Sequence, residues 1–525
     1  MKLTNKYIGS FLASVLLLTS CSDDFLQKNS LTAVSASTFW QNESDALRGL
    51  AACYDGLQST YLYNGGPWNC GPLNMDALTD NGGHFNWSGW MAGYDICNGT
   101  HSASSWLVGS YWSACYEVVK RCNVLIKNID NVPMSESLIS QYKAEAVALR
   151  ALMYINLTMT YNDVPYLTEP LSITEANYPK SDRATIVENV IAELQEVTDA
   201  LPTTADRGRI TKGAALSILG RIALYNEKWD VAVSAYKEVV NSNTYSLFND
   251  YSALFTQANE GCNEIVLAAR FEGPGLDEGQ SLGAHYGTPL EAINGTMDLS
   301  DAYYCTDGKP ISTSPLYQGG KKTHSMYDPD VDRYLNRDLR LKATLFVPGM
   351  SWNGNTDTYG GASPSYSTVY VMKYYDPTDA ANCWDSGQDF YIIRYSEVLL
   401  SYAEALVEKG GYNISEVIAL IDEVRSRAGM PKVENVEGTG LTQDGLRQLI
   451  RHERRVELAF EGLRMFDVYR WKLLKDAVDR INAENTKYGF WYETRYYRGE
   501  MEYIWPIPQS EVDSNTQLEQ HDLWK

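Results

Sequence analysis

Hydrophobic residues recur at helical spacing along much of the chain. Between 142 and 161 they follow a helical rather than a strand period, at Val147, Leu149, Leu152, Ile155, Leu157 and Met159. This helix is predicted to stop at the N-D-V-P sequence of 162–165, because proline cannot continue a helix. The same periodicity predicts a second helix over 183–201.

Two pairs of predicted helices have the features of tetratricopeptide hairpins. Small side chains are frequent in 211–225, and after a short break the segment 229–236 ends on Tyr236. Small residues on facing helices that are joined by a brief turn are typical of this hairpin. A similar pair is predicted at 393–409 and 417–427. The spacing between pairs is irregular, so a regular repeat array is not expected.

Long insertions separate the helical parts of the chain. The main ones, 60–110 and 262–392, are rich in Gly, Trp, Tyr, Asn and Asp. Loops of this length are usually functional or disordered. Their aromatic content favours order, so we expect folded segments here.

The N-terminus has the pattern of a secretory signal peptide. A positively charged start precedes an apolar stretch at 8–18, which is too short to cross a bilayer. The sequence L-T-S-C that follows resembles a bacterial lipobox. This pattern predicts removal of 1–20 and anchoring in the outer membrane through lipidation of Cys21. The alternative is an ordinary secretory peptide with a coincidental cysteine.

Acidic residues outnumber basic ones in this chain. The sequence contains 66 Asp and Glu against 44 Lys and Arg, a formal net charge of -22. Such a chain should repel nucleic acid and anionic membrane surfaces, because phosphate binding depends on cationic side chains. Neutral, cationic or metal-bearing partners are expected, and a neutral sugar fits this charge.

The cysteines do not form a recognisable metal or disulfide pattern. Nine are present, and lipidation of Cys21 would leave eight. Cys115 and Cys122 share one predicted helix and stand too far apart along its axis for a disulfide. No C-x-x-C pair occurs, which argues against structural zinc. Most cysteines are predicted to be buried thiols, and no cofactor is predicted, with a structural calcium ion left open.

The predicted helix 446–460 carries Glu453 and Glu457 on its apolar face. That face is otherwise formed by Leu446, Ile450 and Phe460. A glycosidase would use two carboxylates as general acid and base. Two carboxylates one helical turn apart among arginines are more typical of a structural ion-pair network. We predict no catalytic residue, and a network formed by Arg150, Arg425, Glu453, Glu457 and Arg464.

Several motifs follow one another along the chain. They are N-D-V-P at 162–165, R-I-T-K-G-A-A at 209–215, I-R-Y-S-E-V-L-L at 393–400, V-R-S-R-A-G-M-P at 424–431, E-R-R-V-E-L-A-F-E-G at 453–462 and W-P-I-P at 505–508. In order, spacing and identity they resemble the SusD/RagB family over essentially the whole mature chain. Departures from the family pattern are mild: Asn162 replaces the usual Gly, Leu339 replaces the usual Pro, and 520–522 lacks the usual Asn-Pro-Gly.

The resemblance implies a mostly α fold of tetratricopeptide-like helical hairpins, the SusD-like fold, with a loop-rich ligand-binding half. It divides the mature chain into 21–245, with the aromatic loop 60–110, and 246–525, with the insertion 262–392 and the helical pairs of 393–471. It also implies a non-catalytic function. Such a protein captures a glycan at the cell surface and delivers it to a SusC-like TonB-dependent outer-membrane barrel.

Candidate ligand-binding residues come from the aromatic-rich insertions. Sugars present apolar C–H faces and hydroxyl rims, so their sites combine aromatic rings with a few polar groups. The first group lies where SusD-like proteins place binding residues, and the second lies in the later insertion. The predicted residues are Asp80, His84, Asn86, Trp87, Trp90 and Tyr94, then Tyr286, Tyr303 and Tyr304. For any single aromatic residue, packing in the core is the alternative.

Three functions of different classes are consistent with the sequence. Glycan capture with a transporter partner is the leading hypothesis. Peptide capture in the manner of RagB is the alternative, and it predicts grooves that read the peptide backbone. A purely structural helical-repeat adaptor is the third, and the long insertion 262–392 argues against it.

Overall fold

A computed structural model shows a mostly helical chain with a few short strands. It describes residues 39–84, 90–171, 177–286, 290, 292–320, 330–352, 355–356, 369–488 and 494–525. No helix in these ranges is long and apolar enough to cross a membrane. The eight cysteines within them are free thiols, and six are buried, as the sequence predicted for most of them.

The helices are numbered in chain order. The first ten are α1 Glu43–Asp55, α2 Asn74–Ala77, α3 Tyr94–Cys97, α4 Trp106–Asn128, α5 Glu136–Tyr161, α6 Arg183–Val197, α7 Lys212–Tyr225, α8 Trp229–Asn241, α9 Tyr251–Leu254 and α10 Gly283–Tyr286. The others are α11 Met297–Ala302, α12 Leu339–Thr344, α13 Tyr395–Lys409, α14 Ile414–Arg427, α15 Val433–Val436, α16 Gln443–Glu457, α17 Arg464–Arg470, α18 Leu474–Tyr488 and α19 Gln509–Ser514.

The strands form three small antiparallel sheets. In chain order they are β1 Gly82–His84, β2 Ile265–Ala269, β3 Ile293–Gly295, β4 Leu345–Phe346, β5 Ser351–Trp352, β6 Asn355–Thr356, β7 Tyr370–Val371 and β8 Phe390–Arg394. The four-stranded sheet has the order β1-β3-β7-β4, and the other two pair β2 with β8 and β5 with β6. The four-stranded sheet therefore joins the first insertion to the second, because β1 and β3 come from different insertions.

Antiparallel helix pairs form the main body, as the hairpin pattern predicted. The helices α4 and α5, α7 and α8, and α13 and α14 pack in sequence, and α8 also packs on α13. In the second pair, Gly220 lies against Tyr236, so a Cβ at that glycine would stand only 2.6 Å from the tyrosine ring. A small residue in α7 thus lets the two helix backbones approach each other, with the tyrosine ring filling the contact.

Side-chain caps fix several helix starts. Asp182 accepts a hydrogen bond from the Thr185 N–H at 3.0 Å, and α6 begins next to it, where the sequence predicted. Helix α5 begins earlier than predicted, because Ser135 caps it and its first turns carry Leu138 and Ile139 among mostly polar residues. Helix α13 begins later than predicted, since 390–394 pairs as strand β8.

Helix α16 ends earlier than the predicted helix 446–460. Phe460 lies beyond it with a positive φ of 60°, so it does not share the helical stripe. Leu446, Ile450, Glu453 and Glu457 do share one buried face, as the periodicity predicted.

Candidate functional site

Glu453 and Glu457 lie in the core among buried arginines. Glu457 pairs with Arg340 and Arg394, each at a nitrogen–oxygen distance of 3.1 Å, and with Arg427. Glu453 is 3.0 Å from Arg340. Burial alone would raise the pKa of Glu457, but the three arginines outweigh it and hold the pKa well below the usual value. We call these five residues the central charge cluster, and neither carboxylate in it is exposed to a substrate.

The other arginines of the predicted network lie in different places. Arg425 adjoins the central charge cluster, 3.7 Å from its nearest carboxylate oxygen. Arg464 instead binds Asp80 through two hydrogen bonds of 2.9 Å. Arg150 binds Glu193, on the neighbouring helix α6, at 2.9 Å. The predicted residues therefore belong to three separate ion-pair groups, because Arg150, Arg425 and Arg464 lie on different helices and meet different carboxylates.

Asp80, a predicted binding residue in the aromatic loop 60–110, is fully buried. Arg464, Arg455 and Arg480 surround its carboxylate. Burial would raise the pKa of Asp80, and the three arginines lower it well below the usual value. A carboxylate enclosed in this way holds the loop in position and presents no oxygen to solvent.

Asp76 fastens the same loop to the chain that follows α16. Its two carboxylate oxygens accept hydrogen bonds from the backbone N–H groups of Phe460, at 2.9 Å, and Gly462, at 3.0 Å. The Asn81 amide donates a third hydrogen bond at 2.9 Å. These contacts stabilise the positive φ of Phe460 and fix the first insertion against the helical body.

Three of the six other predicted binding residues in the described segments face inward. His84, Tyr286 and Tyr303 are buried. Burial lowers the pKa of His84 to about 3, so its ring is neutral. Tyr304 stacks on an imidazole with 3.8 Å between ring centroids and is partly exposed, as is Tyr94. A buried ring has almost no surface to offer a ligand, so the structure places the first three in packing positions.

Among the described residues, four tryptophans expose a large part of their surface. Trp90, a predicted binding residue, is 77% exposed, and Trp68, Trp106 and Trp384 are 47%, 47% and 41% exposed. Large aromatic side chains are mostly buried on average, so such exposure on one protein favours a binding surface. Asn86 and Trp87 lie outside the described residues, and their role stays a prediction.

Hydrogen bonds connect the segments that carry three of these rings. The Trp68 carbonyl accepts from the Ala92 N–H at 2.9 Å, which ties it to the segment of Trp90. The Trp384 carbonyl accepts from the Ser281 hydroxyl at 3.1 Å, and the Ser281 N–H donates to the Asn64 side chain at 2.9 Å. Hydrogen bonds therefore hold loops from both insertions together. We call the exposed rings on these connected loops the tryptophan face: Trp68, Trp90 and Trp384.

A wide groove of about 1030 Å³ begins beside this face. Asn64, which binds the Ser281 N–H, is one of its lining residues. Tyr61 and Trp106 lie in it with 6.4 Å between ring centroids and an angle of 67° between planes. The side chains that offer a sugar aromatic or hydrogen-bonding contact include Gln58, Tyr61, Asn64, Trp106, Asp277 and Glu278. We call this cavity the groove. Its combination of aromatic rings with amides and carboxylates is typical of sugar-binding sites.

The groove is acidic. Arg121 is a cation on its wall, and it pairs with Asp55 and, at 3.1 Å, with Glu117. Asp277 and Glu278 add two further carboxylates. Uncharged sugars meet no electrostatic penalty here, whereas anionic groups would be repelled. Among the described residues, no three His, Cys, Asp or Glu side chains come together as a metal site would require.

Sequence reasoning missed Trp68, Trp106 and Trp384. Trp68 and Trp384 stand alone in polar loops, and Trp106 follows Ser104 and Ser105 at the first residue of α4, so none of them belongs to a dense aromatic run. For Trp68 and Trp384, isolation in a polar loop was the available signal. Their grouping with Trp90 depends on contacts between distant segments.

Two family models match the chain. The first, described as the SusD family, matches residues 246–524, and the second, described as starch-binding associating with outer membrane, matches residues 24–224. A SusD-like protein of Formosa agariphila is 25% identical over 98% of both chains.

Solved structures share the fold. A SusD-like carbohydrate-binding protein of Bacteroides fragilis superposes with a TM-score of 0.78 and 26% identity, covering 92% of this chain and 100% of that one. A laminarin-binding SusD-like protein superposes with a TM-score of 0.69 and 25% identity, over the same shares of the two chains. These matches confirm the resemblance and the fold class that the sequence predicted.

Proposed function

This chain belongs to the SusD family, and we propose that it captures oligosaccharide or polysaccharide at the cell surface and delivers it to a SusC-like TonB-dependent outer-membrane transporter. The exposed tryptophan face beside the groove is the observation that carries the proposal. Its rings present flat apolar area to the C–H faces of sugars, and the groove supplies amide and carboxylate partners for hydroxyls. The carbohydrate-binding and laminarin-binding structures with the same fold support this choice.

Binding without catalysis is part of the proposal, and no cofactor is needed for it. The two glutamates that a glycosidase mechanism would have used are buried and paired with arginines. Incubation of the purified protein with any oligosaccharide that it binds should release no new reducing ends. Accumulation of reducing ends with time would contradict this part.

A glycan array, followed by calorimetry on its best ligand, tests the central proposal. Laminarin is a reasonable first probe because a structural relative binds it. The full mature chain should bind a glycan, and Trp90→Ala or Trp384→Ala should weaken that binding. If the array is negative and a peptide library binds instead, peptide capture replaces glycan capture.

Surface attachment is proposed through Cys21, which lies outside the described residues. The family model described as associating with outer membrane supports this location. Cys21→Ala should move the protein from the membrane fraction to a soluble one, because the acyl chains that anchor it would be missing. Undiminished membrane retention would contradict the lipid anchor. Co-purification of a TonB-dependent barrel with the wild type would test the transporter partner.

A further inference from the structure

A second cavity differs from the groove in both place and charge. It has a volume of about 420 Å³ and lies where the ends of α5, α7 and α17 meet helices α13 and α16. It shares no lining residue with the groove. We call it the recess, and the side chains that carry the argument are Arg183, Trp229, Glu404, Glu408, Arg451 and Trp471.

Two of the three carboxylates that line the recess, Glu404 and Glu408, are already neutralised, while the third, Glu227, is exposed to solvent. Glu404 is held by the Arg470 guanidinium through two contacts of 2.5 and 2.7 Å, and it accepts from the Trp471 indole at 2.9 Å. Glu408 is held by Arg447 through two hydrogen bonds of 2.6 and 2.8 Å. Both acids therefore contribute little negative potential to the cavity, because each faces a bidentate guanidinium.

Arg451 is a cation without an acidic partner. Within the described segments no carboxylate lies within 4.0 Å of it, and its buried Nε has no hydrogen-bond partner. The guanidinium lies over the Trp471 ring, 4.8 Å from the centroid. Burial lowers the pKa of Arg451, and the nearby Arg470 and Arg447 lower it further against the opposing glutamates. A cation–π contact does not neutralise its charge, so this side chain favours an anion.

Arg183 adds a second cation whose partners are neutral. Its Nε donates to the Asn226 side chain at 2.8 Å, and one Nη approaches the Met159 sulfur at 3.0 Å. Burial lowers the pKa of Arg183 to about 10, although Asp163 raises it slightly. In the described part of the chain it forms no ion pair within 4.0 Å. The recess thus holds two arginines that lack a counter-ion in a protein of net charge -22.

The aromatic side of the recess indicates what kind of anion fits. Trp229 is half-buried at the start of α8, and its ring lines the cavity. An inorganic anion would gain nothing from this ring, whereas a sugar ring would stack on it. The volume of about 420 Å³ is in the range of small-ligand sites and accommodates a single sugar residue.

We propose that the recess is a second sugar-binding site, specific for a hexuronate, whose carboxylate pairs with Arg451 and Arg183 and whose ring packs on Trp229. It is separate from the proposed glycan site, since no lining residue is shared. Its failure would leave that proposal intact, because the tryptophan face and the groove are tested with other variants.

Calorimetric titration of the full mature chain with glucuronate is the direct test. Glucose, acetate and inorganic sulfate serve as the three comparison ligands. We expect glucuronate to bind at least about tenfold more tightly than each of them, since it alone has both the carboxylate and the sugar ring. Equal binding of acetate or sulfate would reduce the site to a bare anion site and overturn the proposal, as would no binding of glucuronate.

Single-residue variants test whether glucuronate binds in the recess. Arg451→Gln should lower glucuronate affinity by about tenfold or more, and Arg451→Lys should retain part of it because the charge remains. Arg48→Gln is the matched control, since it removes one exposed arginine charge on α1, outside both cavities, and should change the affinity by less than about twofold. Circular dichroism would check that each variant is folded. Loss of binding in Arg48→Gln, or unchanged binding in Arg451→Gln, would overturn the assignment.

Discussion

The central charge cluster buries charged side chains, whereas the tryptophan face exposes apolar rings to water. In the cluster, full charges are removed from water, and each carboxylate is matched by guanidinium groups within about 3 Å. On the face, apolar rings remain in water, and Trp90 leaves 77% of its surface exposed. Burial of a charge is tolerated only with partners, whereas exposure of a ring costs little stability and leaves area for a ligand. Stability is therefore expected to depend on the first region and binding on the second.

The largest expected effect is on the cluster. Glu457→Ala should lower the free energy of unfolding by about 3–5 kcal/mol, because it leaves Arg340, Arg394 and Arg427 without their shared carboxylate. Denaturant titration would measure this change. Asp479→Asn is the control, since it breaks an exposed pair with Lys475 and should cost less than about 1 kcal/mol. An equal loss of unfolding free energy in both variants would show that the central charge cluster has no special effect on stability.

The second prediction concerns the face. Trp90→Ala and Trp384→Ala should each weaken glycan binding by about 2 kcal/mol, more than tenfold in affinity, with little change in melting temperature. The buried Trp505 is the matched control, and Trp505→Ala should lose about 3–5 kcal/mol of stability because it leaves a cavity. Calorimetry would measure binding and unfolding on the same samples. Stability losses in the first two variants would place their rings in the core.

A third prediction concerns the pH dependence of stability that the buried His84 causes. His84 is buried, and burial lowers its pKa from 6.5 to about 3. Between these values the unfolded chain binds a proton that the folded chain does not, so stability falls as the pH falls. From pH 7 to pH 5 the wild type should lose about 2 kcal/mol more than His84→Asn. Unfolding curves at both pH values would measure it, and parallel losses would show that His84 titrates normally.

The smallest expected effect is on charge discrimination in the groove. Asp277→Asn combined with Glu278→Gln should improve binding of uronate-bearing glycans relative to neutral ones by about two- to threefold, because two repulsive carboxylates are removed. Glycan binding at low salt would measure the ratio. Glu43→Gln, on α1 and outside the groove, provides a control for net charge alone. An unchanged ratio would show that the glycan does not bind in the groove.

The helical body was largely predictable from the sequence. The 3.6-residue period of 142–161 and the small residues of 211–225 reflect local burial, and the structure confirms both helices. Boundaries were less accurate where a cap or a strand decided them, as at Ser135 and at β8. Local periodicity records which face is buried, but it does not record where the first hydrogen bond forms.

The candidate site was predictable only in part. Trp90 was recognised because it stands in a dense aromatic run, and the structure places it on an exposed surface. Asp80, Tyr286 and Tyr303 belong to equally polar or aromatic runs, yet they are buried. Composition cannot distinguish these cases, since a ring or a carboxylate serves packing as well as binding.

The sequence by itself determined the helical hairpins, the pairing of Glu453 and Glu457 on one buried face, and the family. These features depend on residues that are close along the chain or on motifs in fixed order. Tertiary structure alone decided which arginine meets which carboxylate, and which tryptophans share a surface. Arg464 meets Asp80, and Ser281 binds both Asn64 and the Trp384 carbonyl, in each case across long stretches of intervening chain. Such contacts arise when separate segments pack together, so their geometry is set by the whole fold rather than by any local pattern.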